Sequence, residues 1–433
     1  MIRTCFAVLM MSVLWLPHAY AQGFTVSVQG AQELTLGLPA VATPSGPGRL
    51  DPGVLFDTVH KDLDMTGWFN ILPAEAAVDT SEGVEPGSFD MSTWTLVGAA
   101  GLAKMRLLPP GDPACDPGGD RFCADVYIYD VAGNQKIAGR RFRAEPEHLR
   151  SVGHKVSSAI LMALVGDPGF FTGRIVAVGT RSGNKELYTM DHDGSNVRSV
   201  TRNGSINLSP DLSLDGRRVA WTSYRRGNPD VYVKDLVSGR TLTLSARRGV
   251  NISPSWSPDG TRIALARSEG GQSDIYILDA RTGREIRRVT TGGGIDVSPD
   301  WSPDGNTLVF ASERSGGSQI YLVDTRGGEP RRLTTTQGFY TDPVFNPDGS
   351  RVAFVSRKGN FDILTIGIDG TGLQRVTQDQ GDNEDPTWSP NGRYLLFSST
   401  RDGGRKLWIS TANGRHQRAV TSTGGWSQPT WNQ

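Results

Sequence analysis

Six arginines recur through the second half of the chain at a nearly regular spacing, and their side chains could bind carboxylates. Each stands between two short apolar segments, which places it on the connection between two strands. A guanidinium group holds a carboxylate through two parallel hydrogen bonds, so a ring of such groups suits a protein partner with acidic side chains. The alternative is that the arginines form salt bridges between neighbouring repeats. They are Arg181, Arg225, Arg267, Arg314, Arg357 and Arg401.

A second set of polar and aromatic residues could contribute to the same surface. Each member stands three positions before a proline, on the segment that leads into another strand of the repeat. Aromatic and polar side chains beside arginines are typical of contact surfaces between proteins. We therefore predict a partner-binding surface that also includes Asn207, Asn251, Asp296, Tyr340, Asn383 and Trp426.

The sequence contains no recognisable catalytic set. It has neither the G-x-S-x-G motif of serine hydrolases nor the G-x-x-x-x-G-K-[ST] loop that binds phosphates. Four histidines are scattered and are interpreted as surface or packing residues: His60, His148, His154 and His416. We expect no catalytic residue, no metal site and no cofactor.

One stretch, Asp191-His192-Asp193-Gly194, carries two carboxylates that could hold calcium. A twelve-residue calcium loop needs an acidic residue at its last position, where this sequence has Arg202. The stretch is therefore interpreted as a hairpin turn.

Cys115 and Cys123 lie in a segment rich in proline and glycine. The third cysteine, Cys5, lies in an N-terminal segment that we expect to be removed on export. The remaining even number of cysteines in an exported protein predicts a disulfide, with a pair of free thiols as the alternative. Two thiols without a nearby histidine fall short of a zinc site.

An internal repeat predicts the elements that position these arginines and the second set of residues. It reads Ser-Pro-Ser-Trp-Ser-Pro-Asp-Gly at residues 253–260, and near copies occupy residues 209–216, 298–305, 342–349 and 385–392. A period in the forties with strand-like segments is typical of a β-propeller, in which each repeat is one four-stranded blade. Pro254 cannot donate a ladder hydrogen bond, so its strand should lie at the inner edge of its sheet, along the central channel.

The propeller begins and ends with incomplete repeats. Residues 174–178, 186–190 and 196–201 form three strands with no Pro-x-Trp strand before them, and residues 428–431 (QPTW) form such a strand with no hairpin after it. Together they complete a blade, so we predict six blades, closed by pairing of the C-terminal strand with the first blade. One aromatic residue per repeat should pack between blades: Trp256, Trp301, Phe345, Trp388 and Trp431.

The N-terminal part has a different pattern. Residues 1–21 are typical of a secretory signal, with Arg3 before an apolar run and Ala19-Tyr20-Ala21 at the cleavage point. Residues 22–167 are expected to form an α/β domain, with a mobile arm over Phe24 to Val41. A helix is expected from Gly53 to Ile71, a hairpin over residues 122–144 and a second helix from residue 146 to 166. The propeller is expected over residues 168–433.

The charge of the chain is balanced. Lys and Arg number 45, Asp and Glu also number 45, and the formal net charge at pH 7 is zero. No overall field would recruit nucleic acid or an anionic membrane surface. No segment after the signal is apolar and long enough to span a bilayer, so a soluble monomer without direct membrane insertion is expected.

The sequence resembles the TolB family of the Tol-Pal cell-envelope system over nearly the whole mature chain. The repeats carry part of this resemblance. More specific are residues 94–99 (WTLVGA), 127–130 (YIYD), 154–157 (HKVS) and 166–175 (GDPGFFTGRI). The Cys115–Cys123 segment is not part of it.

This resemblance implies a non-enzymatic periplasmic adaptor that supports outer-membrane integrity and envelope constriction during cell division. The propeller face would bind Pal, the peptidoglycan-associated lipoprotein, and the N-terminal arm would bind TolA; other outer-membrane proteins are further candidate partners. It also leads us to expect that Asn251→Arg with Asp296→Arg weakens Pal binding without lowering the melting temperature.

Two other classes of function remain open. A propeller enzyme of the lactonase or lyase type would need carboxylates and histidine that converge near the channel axis. A polysaccharide-binding protein would expose its repeated aromatic residues instead of packing them between blades.

Overall fold

The computed structural model describes residues 33–43, 50–73, 76, 83–268 and 270–432. The predicted signal sequence lies outside these residues, as does the predicted arm up to residue 32. No helix in the described ranges combines the length and the apolar character needed to cross a membrane.

An α/β unit forms the first part of the described chain. Its mixed five-stranded sheet has the order β2-β1-β3-β4-β5, in which β1 pairs in parallel with β2 and β3 and the remaining pairs are antiparallel. The strands are β1 (Leu34–Gly37), β2 (Phe69–Ile71), β3 (Gly101–Leu108), β4 (Phe122–Asp130) and β5 (Gln135–Ala144). The helices are α1 (Pro52–Thr66), α2 (Met91–Leu96) and α3 (Leu149–Val165).

The ends of α1 follow from its local sequence. The Asp51 carboxylate caps the helix by accepting a hydrogen bond from the Gly53 N–H at 2.8 Å, and proline occupies the first helical position. Gly67 ends the helix in the left-handed conformation, with φ of 66°. The prediction that this helix reaches Ile71 is wrong, because the chain leaves Gly67 to form β2.

The predicted mobile arm is wrong in its second half. β1 lies between β2 and β3 in the sheet, and Leu36 and Leu38 are buried. Residues in a central strand are fixed by hydrogen bonds on both sides, so Leu34 to Gly37 belong to the folded unit. The prediction for residues 24–32 falls outside the described part of the chain.

Three other predictions for this unit are confirmed. β4 and β5 form the expected hairpin. The helix α3 follows a single 3-10 turn at Pro146–His148, buries Val152 and Val156, and ends at Gly166 with φ of 71°. Cys115 and Cys123 form a disulfide.

The propeller has six blades, as predicted, each a four-stranded antiparallel sheet. Blade 1 contains β6 (Arg174–Gly179), β7 (Glu186–Asp191) and β8 (Arg198–Ser199); blade 2 contains β9 (Asn207–Leu212), β10 (Arg218–Ser223), β11 (Asp230–Asp235) and β12 (Thr241–Ser245). Blade 3 contains β13 (Asn251–Trp256), β14 (Arg262–Ser268), β15 (Ser273–Asp279) and β16 (Glu285–Arg288); blade 4 contains β17 (Asp296–Trp301), β18 (Thr307–Ser312), β19 (Gln319–Asp324) and β20 (Arg331–Arg332). Blade 5 contains β21 (Phe339–Phe345), β22 (Arg351–Lys358), β23 (Asn360–Gly367) and β24 (Gln374–Arg375); blade 6 contains β25 (Asn383–Trp388), β26 (Tyr394–Ser399), β27 (Lys406–Thr411) and β28 (Gln417–Ala419).

The repeated motif forms the inner strand and the turn after it. In β13 the pairing with β14 shifts between Ile252 and Ser255, and Ser253 has a positive φ of 52°. Pro254 lies inside this bulge, where its missing N–H is not needed for the ladder. The following turn closes when the Gly260 N–H donates to the Ser257 carbonyl at 2.8 Å, with Gly260 at φ of 65°. Pro254 therefore lies on an inner-edge strand, as predicted.

The last strand closes the ring. β29 (Trp426–Asn432) is the fourth strand of blade 1 and pairs with β6, with Trp426 opposite Gly179 and Trp431 opposite Ile175. The repeated aromatic residues are buried, and some bond to the preceding blade. The Trp301 indole donates to the Ser255 carbonyl at 3.1 Å. The predicted closure and packing between blades are confirmed.

The α/β unit packs against one end of the ring, at blades 1 and 6. One apolar core runs from α3 through Phe170 and Phe171 to Tyr394 of blade 6 and Trp431 of blade 1. The Phe170 ring lies 4.7 Å from the Tyr394 ring and 5.0 Å from the Trp431 ring. We call this the covered end of the ring and the opposite end the open face.

Polar contacts surround this core. Arg150 forms an ion pair with Asp193, and the Lys61 ammonium donates to the Asp193 carbonyl at 2.9 Å. On the blade 6 side, Arg418 lies 3.2 Å from Asp64. The cations are partly exposed, so each pair contributes modestly to stability. Their arrangement fixes how the unit is oriented on the ring.

A buried carboxylate bridges the two parts of the molecule. Asp62 of α1 accepts hydrogen bonds of 2.8 Å from Nδ1 of His154 on α3 and from Nε2 of His192, which lies in the turn after β7. The stretch at residues 191–194 is thus a hairpin turn, as predicted, and His154 is a packing residue, as predicted. The bridge between His154 and His192 was not foreseen from the sequence.

These three residues have the composition of a metal site, but their surroundings fit a hydrogen-bonded cluster better. A metal-bound histidine normally donates its second ring N–H to a neighbouring acceptor. The outer nitrogens, Nε2 of His154 and Nδ1 of His192, have no hydrogen-bond partner in the described part of the chain. A carboxylate can only accept, so the inner nitrogens carry the protons and the outer ones are bare.

The cluster titrates differently from free side chains. Burial opposes ionisation of Asp62, but the charges and hydrogen bonds of His192 and His154 outweigh burial and lower its pKa to about 2. Burial lowers the pKa of His192, and the attraction of Asp62 offsets this only in part. Protonation of His192 would also leave an N–H without an acceptor.

The first prediction concerns closure of the ring. Ending the chain at Gly424 removes β29, with the buried residues Trp426 and Trp431, each of which contributes about 3–5 kcal/mol by analogy with other core aromatics. We expect a large fall in the melting temperature, measured by scanning calorimetry. An unchanged melting temperature would show that closure by β29 is wrong.

The second prediction concerns pH. The pKa of His192 is lower in the folded protein than in the unfolded chain. Its contribution to the free energy of unfolding should therefore be fully present above pH ~6.5 and should fall as the pH drops below that value. The pKa of Asp62 is also lower, so its contribution should be lost as pH falls from about 4 to 2. Between pH 7 and 5 the free energy of unfolding, measured with urea, should fall by up to about 1.4 kcal/mol per pH unit because of His192.

His192→Gln tests this assignment, because a glutamine amide can still donate to Asp62 but does not titrate. This variant should have a flatter dependence of unfolding free energy on pH between 7 and 5. The control is His60→Gln, which removes an exposed histidine from the same helix as Asp62. Equal slopes for wild type and His192→Gln would contradict the assignment.

Candidate partner-binding face

The six arginines and the six polar and aromatic residues predicted from the sequence lie at the same end of the propeller. The loop before each inner strand bonds to the loop between the second and third strands. The Tyr224 N–H donates to the Ile206 carbonyl at 2.9 Å, and the Glu313 N–H donates to the Ile295 carbonyl at 3.1 Å. Both kinds of loop surround the open face, opposite the α/β unit.

The six polar and aromatic positions at this face are buried, with exposures of 0–6%. Their hydrogen bonds and packing contacts hold the loops against the blades. The Asn207 amide donates to Glu186 at 3.1 Å and accepts from the Trp221 indole at 3.1 Å. Asn251 and Asn383 bond to loop carbonyls in the same way, Tyr340 bonds to Thr336, and Trp426 packs on Tyr188. They shape the surface, but their side chains are not positioned to contact a partner.

This burial contradicts one expectation. Asn251 and Asp296 are 0% exposed, so replacing them with arginine would place two charges where the fold has no room for them. The double substitution would lower the melting temperature and could not report on binding alone.

Three of the six arginines are paired within their own blade. Arg267 is 4% exposed and lies 2.6 Å from Glu285. Arg314 lies 2.8 Å from Asp296, and Arg401 donates to Asn383 at 2.7 Å. For Arg267 and Arg314 the salt-bridge alternative holds, although the bridges are within blades and not between them.

The other three arginines are exposed. Each lies over an aromatic ring: Arg181 at 5.9 Å from Trp426, Arg225 at 3.8 Å from Tyr232 and Arg357 at 5.3 Å from Phe361. None of them forms an ion pair with another described residue. A guanidinium stacked on a ring is held in place but keeps its N–H groups free for a ligand.

Exposed apolar side chains lie on the loops of the same face, and they were not predicted from the sequence. Ile206, Ile295 and Phe339 are 47%, 42% and 42% exposed. Each comes one position before a buried member of the predicted set. Successive side chains on an extended segment point to opposite sides, so the residue before a buried one is the residue that faces solvent. An apolar residue at this loop position was the available signal.

The central channel is lined by carboxylates. Asp211, Asp300, Asp342 and Asp385 lie along it, beside the inner-strand prolines. Burial raises the pKa of Asp211 to about 7 and that of Asp300 to about 6. Burial also raises the pKa values of Asp342 and Asp385. After burial, repulsion between carboxylates contributes, since Asp300 raises the pKa of Asp211 and Asp342 raises that of Asp385. Carboxylate oxygens are the ligands that hard cations prefer, so a cation in the channel would offset this repulsion.

The open face therefore combines three available guanidinium groups with three exposed apolar side chains. Such a combination binds proteins: apolar contacts supply affinity and arginines pair with carboxylates. The described residues of this face include no histidine and no cysteine.

Known proteins share this architecture. The family model described as TolB beta propeller domain matches residues 162–433. The Tol-Pal system protein TolB of Geobacter sulfurreducens is 39% identical over 198 residues, which make up 45% of this chain and 43% of the relative. The protein TolB homolog of Chlorobaculum tepidum is 34% identical over 229 residues, 51% of this chain and 49% of the relative. The chain thus matches about half of the length of these relatives.

The fold as a whole is also found in a solved structure. TolB from Acinetobacter baumannii superposes with a TM-score of 0.80 at 26% sequence identity, and the alignment covers 93% of this chain and 97% of that one. The agreement includes the α/β unit as well as the ring. Since the propeller model also matches well over half of the sequence, this chain belongs to the TolB β-propeller family.

Proposed function

We propose that this protein is a non-enzymatic periplasmic adaptor of the Tol-Pal system. It binds Pal through the open face and TolA through its N-terminal region, and so supports outer-membrane integrity and constriction during division. The observation that supports the proposal is the open face itself, where arginines without an ion-pair partner and exposed apolar side chains lie together on the end that the α/β unit leaves free.

The chemistry of this face selects the kind of partner. Arg181, Arg225 and Arg357 each offer N–H groups to a carboxylate. Phe339 offers an apolar contact beside Arg357, since the two residues lie opposite each other in the pairing of β21 with β22. A partner with acidic side chains around an apolar patch would complement this arrangement. A small anionic metabolite would leave the apolar residues without contact.

The N-terminal region is placed away from this face. The first described strand, β1, belongs to the α/β unit at the covered end. A partner of the residues before β1 would approach from that end, so TolA and Pal could bind the same molecule together.

The two alternative functions have less support. A propeller enzyme would need histidine beside the channel carboxylates, and no described histidine lines the channel. A polysaccharide-binding protein would expose the repeated aromatics, but Trp256, Trp301, Trp388 and Trp431 are buried.

The third prediction tests the Pal face. The triple variant Arg181→Glu, Arg225→Glu and Arg357→Glu should weaken binding to the lipid-free soluble domain of Pal by at least ~100-fold, measured by isothermal titration calorimetry, because three favourable charge pairs become repulsive. Its melting temperature should stay close to that of wild type, since these side chains are exposed.

A matched control makes the same charge change at the covered end. Arg240→Glu, Arg281→Glu and Arg284→Glu replace three exposed arginines on turns of blades 2 and 3. This variant should bind Pal as wild type does. Equal losses in both variants would indicate a general charge effect, and failure of wild type to bind Pal at all would sink the proposed function.

A further inference from the structure

The packing between neighbouring blades differs around the ring at one register position. The first residue of the second strand is an arginine in blades 2 and 3, and its guanidinium stacks on the tryptophan of the next blade. Arg218 lies 4.4 Å from the Trp256 ring, and Arg262 lies 4.7 Å from the Trp301 ring. These stacked pairs fill the space between blades near the covered end.

Between blades 1 and 2 the arginine is present but the ring is not. Arg174 occupies the same register position, opposite Asp191, as Arg218 does opposite Asp235. The tryptophan position of blade 2 is Leu212. Here the blades leave a cleft of about 310 Å³. Arg174 therefore lines this cleft, whereas the equivalent Arg218 and Arg262 stack on tryptophans.

Two further cations line this cleft. Arg198 comes from β8 of blade 1, and Lys234 comes from β11 of blade 2. Lys234 is oriented by a hydrogen bond of 2.5 Å from its ammonium to the Val200 carbonyl. Neither Arg174 nor Arg198 has a side-chain hydrogen bond or ion pair with any residue that the structure describes.

Little negative charge offsets these cations. The cleft contains one carboxylate, Asp191, which already accepts a hydrogen bond of 2.6 Å from Asn196. The nearby Asp193 forms ion pairs with Arg150 and Lys61 at the interface with the α/β unit. Three cations against one carboxylate leave a local excess of two positive charges.

We propose that this cleft binds a phosphoryl group, as inorganic phosphate or a phosphate monoester. A phosphoryl group carries a charge of about −1.5 to −2 at neutral pH and offers several strong acceptor oxygens. Two guanidinium groups and an ammonium are the side chains that proteins use to bind it. The volume is at the lower end for ligand sites, which suits a small oxyanion.

A second cleft provides an internal contrast. Between blades 4 and 5 the arginine position is Thr307 and the ring is Phe345, and a cleft of about 520 Å³ remains. Its lining includes Asp304, Asp324 and Glu329, so it repels anions. A break in the repeat opens a cleft, and the side chains around it decide which charge it accepts.

The fourth prediction is saturable binding of phosphate, measured by titration calorimetry with the full mature chain at low salt. Inorganic phosphate and glycerol 3-phosphate serve as separate probes: tighter binding of the ester assigns a ligand with a substituted phosphate, and tighter or equal binding of the ion assigns free phosphate. Arg174→Gln with Arg198→Gln should weaken binding at least ~100-fold, because both guanidinium contacts are lost. Absence of saturable binding for both probes would overturn the proposal.

Two more variants separate a built site from general charge. Leu212→Trp introduces the tryptophan that four of the other blades have at this position. It keeps the net charge and should abolish binding by filling the cleft beside Arg174. Arg281→Gln with Arg284→Gln removes the same charge from exposed positions in blade 3 and should leave binding unchanged. If this control loses as much affinity as the Arg174 and Arg198 variant, phosphate binds by general charge and the cleft is not the site.

Discussion

The structure depends on the pairing of β29 with β6. A blade with no inner strand would expose a row of unpaired backbone groups along the channel, and the ring would have two free edges. Because β29 runs along the channel wall, it also connects the two ends of the molecule. Trp426 lies under Arg181 at the open face, and Trp431 packs on Phe170 at the covered end. One strand thus closes the ring, supports the open face and supports the α/β unit.

The same regularity explains what could be predicted about the fold. Every inner strand has a proline where it bulges, five of the six have an aromatic residue that packs between blades, and five are followed by a turn that ends in a glycine with a positive φ. Residues 253–260 contain all three, so their repetition was enough to predict the number of blades and the closing strand. The same regularity shows which loops lie together at the open face. The repeated polar residues Asn207 and Asp296 are buried because they hold these loops in place, whereas their neighbours Ile206 and Ile295 face solvent.

The interface between the α/β unit and the ring could not be predicted in this way. Asp62 bonds to His154 and His192 across separations of 92 and 130 residues, and no local pattern connects them. A histidine on a helix looks the same in the sequence whether it faces water or a buried carboxylate. The strands β1 and β2 were missed for a related reason. They have four and three residues, and their pairing is parallel, so neither a hairpin turn nor a long alternation marks them.

The arginines show how a repeat fold separates structural residues from available ones. At the open face, Arg314 has Asp296 as an ion-pair partner, whereas Arg225 has only the ring beneath it. At the covered end, Arg218 stacks on Trp256, whereas Arg174 lines an open cleft and the equivalent position of the next blade is Leu212. Residue type and register are the same in each comparison, so neither decides the role. What decides it is whether the neighbouring position supplies a partner, and that position is where the repeats differ.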